Sequence, residues 1–201
     1  MAKSIKKLFF QNIANAITAI GLILSVWLVM VFLIEPDYLW LILLLAILIG
    51  LSDFLDGKIA RYFNIKSTFG SALDRLRDKI FICPTLVILL CHYWEKTFQS
   101  FFLATLNAAL IIVVILIEIL LFIVWFFSII KKLDSASNYY GQVKMFLQFM
   151  AVMIWLISLI IEKYLGFPVL KFSIYLIDVI LAAAIYYGIK SLEGYYQRYS
   201  Q

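Results

Sequence analysis

The sequence predicts an all-α integral membrane bundle of six transmembrane helices, preceded by an amphipathic helix at the interface. Three observations predict it. Hydrophobic residues make up 65% of the chain and charged residues 14%, far from the roughly 45–50% apolar and about 25% charged of soluble domains. Several apolar runs reach the ~20 residues that a helix needs to cross a hydrocarbon core. The basic residues gather at the ends of those runs, where they orient helices and attract anionic lipid. The net charge of +5 is thus spent on the membrane and does not point to nucleic acid.

The elements follow in order, within one membrane domain covering residues 1–201. Residues 3–12, KSIKKLFFQN, put Lys3, Lys7 and Gln11 on one helical face and Ile5, Leu8 and Phe9 on another, as in a helix lying on the membrane surface. The spans are expected over about 16–34, 38–56, 73–93, 101–130, 142–161 and 168–190. The first ends at EPDY, a polar turn containing Pro36. Lys96, Lys163 and Lys171 lie on one side with Glu35, Asp37, Glu95 and Glu162, and the other lysines and arginines fall on the opposite side. The positive-inside rule then places both termini in the cytoplasm. No small-residue cleavage site follows the basic start, so no cleaved leader is expected. Cys83 and Cys91 are eight residues apart in one span, about 12 Å along a helix, too far for a disulfide.

The informative stretch is LSDFLDGKIARYFNIKSTFGSALDRLRDK, which begins at Leu51 on the cytoplasmic side. Asp53, Asp56, Gly57, Ala60 and Arg61 recur at i, i+3, i+4, i+7 and i+8, and Gly70, Asp74 and Asp78 at i, i+4 and i+8. Each set forms one stripe if its segment is helical. Two helical segments meeting here bring four carboxylates together. Acids near a membrane are expensive, and four that repel one another need a cation. An all-oxygen donor set suits Mg²⁺, Mn²⁺ or Ca²⁺, and four aspartates are enough for two ions. Gly57 and Ala60 leave bare backbone beside the acids, and Arg61 offers a fork for phosphate oxygens. Together they suggest a nucleoside diphosphate. A single acid pair would read as a solvated helix end, but four acids with these neighbours do not.

The stretch reads D-x2-D-G-x2-A-R-x8-G-x3-D-x3-D from Asp53 to Asp78 and resembles the signature of the CDP-alcohol phosphotransferases. The length and span count are also similar to that family. The resemblance implies a CDP-linked lipid, usually CDP-diacylglycerol, whose lipid-side phosphate is attacked by an alcohol hydroxyl with loss of CMP. It implies Asp53, Asp56, Asp74 and Asp78 as ligands of a pair of Mg²⁺ or Mn²⁺ ions, Asp78 also as general base, and Gly57, Ala60, Arg61 and Gly70 around the nucleotide. A homodimer is a common assembly in that family.

The acceptor is read from weaker segments. SALDRLRDKI resembles the LDPLADKI form of phosphatidylglycerophosphate synthases and eukaryotic-type cardiolipin synthases, with Arg75 and Arg77 in place of proline and alanine. GQVKMFLQ, Gly141 to Gln148, resembles GKxKTxxQ of the glycerophosphate enzymes, with Gln142 and Met145 departing. NAIT, Asn15 to Thr18, resembles the PNxLT entry, and Glu118 matches the acid of an RE pair whose arginine is Ile117 here. Glycerol 3-phosphate is therefore the expected acceptor, held by Lys144 with help from Arg77, Lys131 or Lys132. Phosphatidylglycerol (a cardiolipin synthase) and an inositol-type alcohol are the alternatives within the family. A cation transporter and an inactive lipid-binding scaffold are the alternatives outside it. Asp178 and Lys171, seven residues apart, are expected to meet in the last span, Glu118 to be structural or to match the RE acid, and His92 to be an interfacial tip.

Overall fold

Apolar runs of this length must form helix, because hydrocarbon offers no water to satisfy backbone N–H and C=O groups. The computed structural model describes residues 2–63, 68–97, 101–131 and 138–199, and every element among them is helical. They are α1 (Ala2–Ile34), α2 (Leu39–Tyr62), α3 (Thr68–His92), the single turn α4 (Trp94–Thr97), α5 (Phe101–Ile130), α6 (Tyr139–Leu165) and α7 (Leu170–Tyr199). Among the described residues, five stretches are long and apolar enough to cross a membrane: Phe10–Ile34, Leu39–Ala60, Phe101–Ile130, Tyr139–Leu165 and Leu170–Arg198. The expected third span, α3, is not one of them. Asp74, Arg75, Arg77, Asp78 and Lys79 crowd its first half, and the apolar run begins only at Ile80.

One other expectation meets a different backbone. Residues 3–12 are not set off from the first span but run into it as one helix, α1; no proline or glycine lies between them and Gly21 to break it. The segment between the second and third spans is mostly helix. α2 continues to Tyr62 and α3 begins at Thr68, so Asp53, Asp56, Gly57, Ala60, Gly70, Asp74 and Asp78 all sit on helices. The turn at EPDY is tight: the Tyr38 N–H donates to the Glu35 carbonyl at 3.1 Å, with Pro36 at the turn position that its fixed φ suits.

The chain divides into two compact units, Met1–Thr85 and Leu86–Gln201. In the first, α1 and α2 pack along one another. The buried face of α1 is Ala14, Thr18, Gly21, Ser25, Leu28 and Phe32, and that of α2 includes Leu39, Ile42, Ala46, Ile49, Ser52 and Asp56. Steps of three and four residues give the narrow seam of a closely packed helix pair, and small residues on the α1 side let the backbones approach. A Cβ at Gly21 would run into Ser52 Oγ and stand 3.0 Å from Arg77 Cδ. The Phe10 ring stacks on Phe63 with centroids 3.7 Å apart, which ties the end of α2 to the start of α1. The outward faces carry Ile23, Trp27 and Met30 from α1 and Trp40, Leu44 and Ile47 from α2, apolar side chains that suit a lipid surround.

In the second unit, α7 packs against both α5 and α6. Ile117, Leu121 and Tyr195 form a buried cluster with Val124, Ile185 and Leu192 against it. Gly188 permits the approach, because a Cβ there would stand 2.7 Å from Ile117 Cγ2. Asn138 caps α6 by accepting from the Gly141 N–H at 2.8 Å. Its Nδ2 donates to the Ser191 carbonyl at 2.9 Å, and Ser191 Oγ donates back to Asn138 Oδ1 at 2.8 Å. One side chain thus caps α6 and fastens it to α7.

Two substitutions test this packing. Gly21→Ala would stabilise an unobstructed helix by about 0.5–1 kcal/mol. Here it is expected to lower the thermal stability of the detergent-purified protein, since relief would cost Ser52 its 2.7 Å bond to the Ile49 carbonyl; a rise in Tm would show that α1 and α2 are not so close. Asn138→Ala is expected to cost about 1–3 kcal/mol, the loss of a cap and of buried hydrogen bonds, read by denaturant unfolding, and an unchanged midpoint would contradict the double role.

Candidate active site

Three helices of the first unit supply the site. α2 presents Asp53 and Asp56 one turn apart, α3 presents Asp74, Arg77 and Asp78, and α1 presents Thr18. The stripes expected from spacing therefore converge. What joins them is the Arg77 guanidinium. Its Nη2 donates to Oδ1 of Asp53 and of Asp74, and lies 3.4 Å from Asp78 Oδ1. Its Nη1 donates to Asp56 Oδ2 at 3.1 Å. Arg77 is 1% exposed, whereas the Asp53 and Asp74 side chains are 53% and 42% exposed. The arginine is enclosed and the acids around it open outward.

Asp56 is the most enclosed of the four acids, at 9%. Its Oδ2 also accepts from Thr18 Oγ1 at 2.7 Å. The Thr18 hydroxyl has the Ala14 carbonyl within reach at 3.0 Å, but it has one proton to give, and an ionised carboxylate is the stronger acceptor. Asp56 is thus fixed from two sides, by α1 and by α3. A buried carboxylate needs such partners, since leaving it without them costs more than any neutral group would.

Carboxylate oxygens of Asp53, Asp56 and Asp74 lie within 4.8 Å of one another. That spacing and an all-oxygen donor set fit a hard divalent cation. One guanidinium set against four carboxylates leaves the cluster short of positive charge, which favours the same conclusion. Asp78 is outside this trio and joins it through Arg77. Gly57 and Ala60 are half-buried in the last turns of α2, Gly70 is half-buried in the first turn of α3, and the Arg61 side chain lies outside the described residues.

The residues expected around an acceptor are dispersed in role. Arg77 is committed to the acids. Lys144, in the second unit, is buried, and its Nζ donates to Glu118 Oε1, which also accepts from Gln148 Nε2 at 2.9 Å. Lys144 and Gln148, the polar matches in GQVKMFLQ, therefore face α5 together. Lys131 is exposed past the end of α5, and Lys132 lies outside the described residues. Asp178 does not meet Lys171 as expected. It is buried and its Oδ1 accepts from Asn107 Nδ2 of α5 at 2.5 Å, a partner within the unit, while Lys171 is exposed. His92 and Cys91 are exposed at the end of α3, and no disulfide joins Cys83 to Cys91.

Sequence reasoning missed Thr18, Gly21 and the true place of Arg77. The seam of small and hydroxyl residues in α1, at steps of four and three, was the available signal for the first two. For Arg77 the signal was the charge balance of a four-acid cluster.

Comparison with known proteins agrees with this geometry. The family model for CDP-alcohol phosphatidyltransferase matches residues 11–186. A Salmonella choleraesuis protein named CDP-diacylglycerol–glycerol-3-phosphate 3-phosphatidyltransferase is 30% identical over 151 residues, 73% of this chain and 76% of its own. An Aquifex aeolicus protein of the same name is 31% identical over 132 residues, 66% of this chain and 68% of its own. A Streptomyces coelicolor cardiolipin synthase (CMP-forming) is 37% identical over 86 residues, covering 40% of this chain and 38% of its own. With residues 11–186 matched and five described helices long and apolar enough to cross a membrane, the chain belongs to the CDP-alcohol phosphatidyltransferase family and is a multi-pass membrane transferase.

Proposed function

We propose that this chain transfers the phosphatidyl group of CDP-diacylglycerol to glycerol 3-phosphate in a metal-dependent reaction that releases CMP. The observation that carries the reaction class is the convergence of Asp53, Asp56, Asp74 and Asp78 from α2 and α3. The acceptor is supported by the names of the relatives that cover two thirds or more of their own length.

Asp53, Asp56 and Asp74 would hold Mg²⁺ or Mn²⁺, with Asp78 as a fourth ligand where two ions bind. When bound, such ions screen the diphosphate and the charge that grows on the leaving phosphate. The acceptor oxygen attacks the lipid-side phosphorus, the bond from that phosphorus to the CMP oxygen breaks, and CMP departs with the bonding pair. Asp78 takes the hydroxyl proton, a role open to a carboxylate within hydrogen-bond reach of the attacking group. Gly57 and Ala60 leave room for the cytidine against α2, and Gly70 does so at the start of α3. Arg61, one turn beyond Gly57, is assigned to phosphate.

The membrane arrangement belongs to the same proposal. α3 is the sixth span, its apolar part running from Ile80 and its charged part forming the site. The basic residues put both termini and the acids at the cytoplasmic face, with residues 3–12 along the interface. Asp53 lies about 21 Å along α2 from Leu39, past the midplane, where the diphosphate of a lipid nucleotide sits and where a transport site usually does not. Phosphatidylglycerol is the second acceptor to test, favoured by the Streptomyces relative over the 86 residues that align.

Purified protein is expected to release CMP from CDP-diacylglycerol when given glycerol 3-phosphate and Mg²⁺ or Mn²⁺, and to stop when the metal is chelated. Turnover only with phosphatidylglycerol would reassign the acceptor, and none with any alcohol would sink the proposal. Asp78→Asn is expected to lower kcat by roughly 10²–10⁴-fold, the usual worth of a general base, while CDP-diacylglycerol still binds. Unchanged turnover would remove Asp78 from that role.

A further inference from the structure

Metal binding and phosphoryl transfer account for the four aspartates but give no reason for a buried arginine among them. The Arg77 Nη2 is bonded to both Asp53 Oδ1 and Asp74 Oδ1, and these two residues belong to the trio whose oxygens could share one cation. The nitrogen therefore stands among the ligand oxygens. A divalent ion held by the same carboxylates would be a second cation at close range, and repulsion between the two is strong where water is excluded. The arrangement is built into the fold rather than left to a surface rotamer. Gly21 on α1 leaves the space that the arginine stem crosses, since a Cβ there would stand 3.0 Å from Arg77 Cδ and 3.4 Å from Nη1. Thr18 holds Asp56 in position for the other guanidinium nitrogen.

We propose that Arg77 is a tethered counter-cation that holds the acid cluster together in the metal-free protein and competes with the divalent cation for it, so that metal loading requires the guanidinium to leave Asp53 and Asp74. The inference rests on the metal-dependent reading of the cluster. It adds that the metal-free site is already assembled, and that its assembly is bought with weaker metal binding. Without Arg77, four carboxylates would face one another with no positive charge between them, and the metal-free state would be the unstable one. The way out is on the side where Asp53 and Asp74 are about half exposed, because a displaced guanidinium must reach water or another anion.

The test uses full-length protein in detergent and reads Mn²⁺ binding directly, from the electron paramagnetic resonance signal of the free ion. Arg77→Ala is expected to bind Mn²⁺ tighter than wild type by roughly tenfold or more, since a competing charge has been removed. Its Tm should fall without metal and rise with Mn²⁺ by more than that of wild type does. Arg77→Lys, which keeps a cation on the same stem, should stay near wild-type affinity. If Arg77→Ala does not survive metal-free, it is purified with Mn²⁺ and its affinity read by competition with a chelator. Affinity in Arg77→Ala equal to or weaker than wild type would overturn the competition. CMP release by wild type judges the reaction separately: turnover with no gain in Arg77→Ala leaves the transferase and removes this inference, and a gain without turnover does the reverse.

Discussion

Negative charge gathered at the end of an apolar bundle is the constraint on which the first unit depends. Asp53, Asp56, Asp74 and Asp78 are held close around one guanidinium, and close carboxylates repel. Helix geometry fixes which way each pair faces, but it cannot supply the attraction that brings two pairs together. In this structure Arg77 supplies it, with one bidentate head shared between α2 and α3. The rest of the neighbourhood can be understood as support for that head. Gly21 clears the stem, Thr18 takes up the remaining demand of Asp56, and the close seam of α1 and α2 holds both in register.

The second unit solves a related problem differently. Several of its buried polar groups are matched across helices: Lys144 and Gln148 with Glu118, Asn107 with Asp178, Asn138 with Ser191. Each pair joins two helices, and each is buried. In lipid, helices gain little from hydrophobic contact alone, so such polar pairs and close backbone contacts at small residues specify which helices meet. Lys144 illustrates the consequence. Its position in the GQVKMFLQ segment suggested a phosphate ligand, and its burial against Glu118 gives it a structural partner on α5.

How much was legible beforehand depended on the range of the interaction. Five of the six expected spans were visible because long apolar runs are a local property, and the turn at Pro36 announced itself. The acid stripes were visible because helix periodicity puts Asp53 and Asp56, or Asp74 and Asp78, on one face whatever the tertiary fold. The helical ends of α2 and α3 followed the same logic and were longer than the apolar runs, since polar residues such as Lys58 and Arg61 continue a helix outside hydrocarbon as well as apolar ones do. Arg77 was not placed, because spacing fixes where a side chain starts and a long stem decides where it ends. Asp178 was paired with the wrong residue for a similar reason: its partner, Asn107, is 71 positions away in sequence and no local pattern points to it.

The central claim is that the carboxylates on α2 and α3 form the catalytic metal site of a phosphatidyl transferase and that Arg77 stands in the metal's place until it loads. Anomalous scattering from crystals grown with saturating Mn²⁺ locates the ion without reference to activity. The account predicts a manganese peak bounded by oxygens of Asp53, Asp56 and Asp74, with the Arg77 guanidinium withdrawn from Asp53 and Asp74. A cluster with no manganese and the guanidinium still among its carboxylates, or a peak elsewhere in the chain, would contradict it.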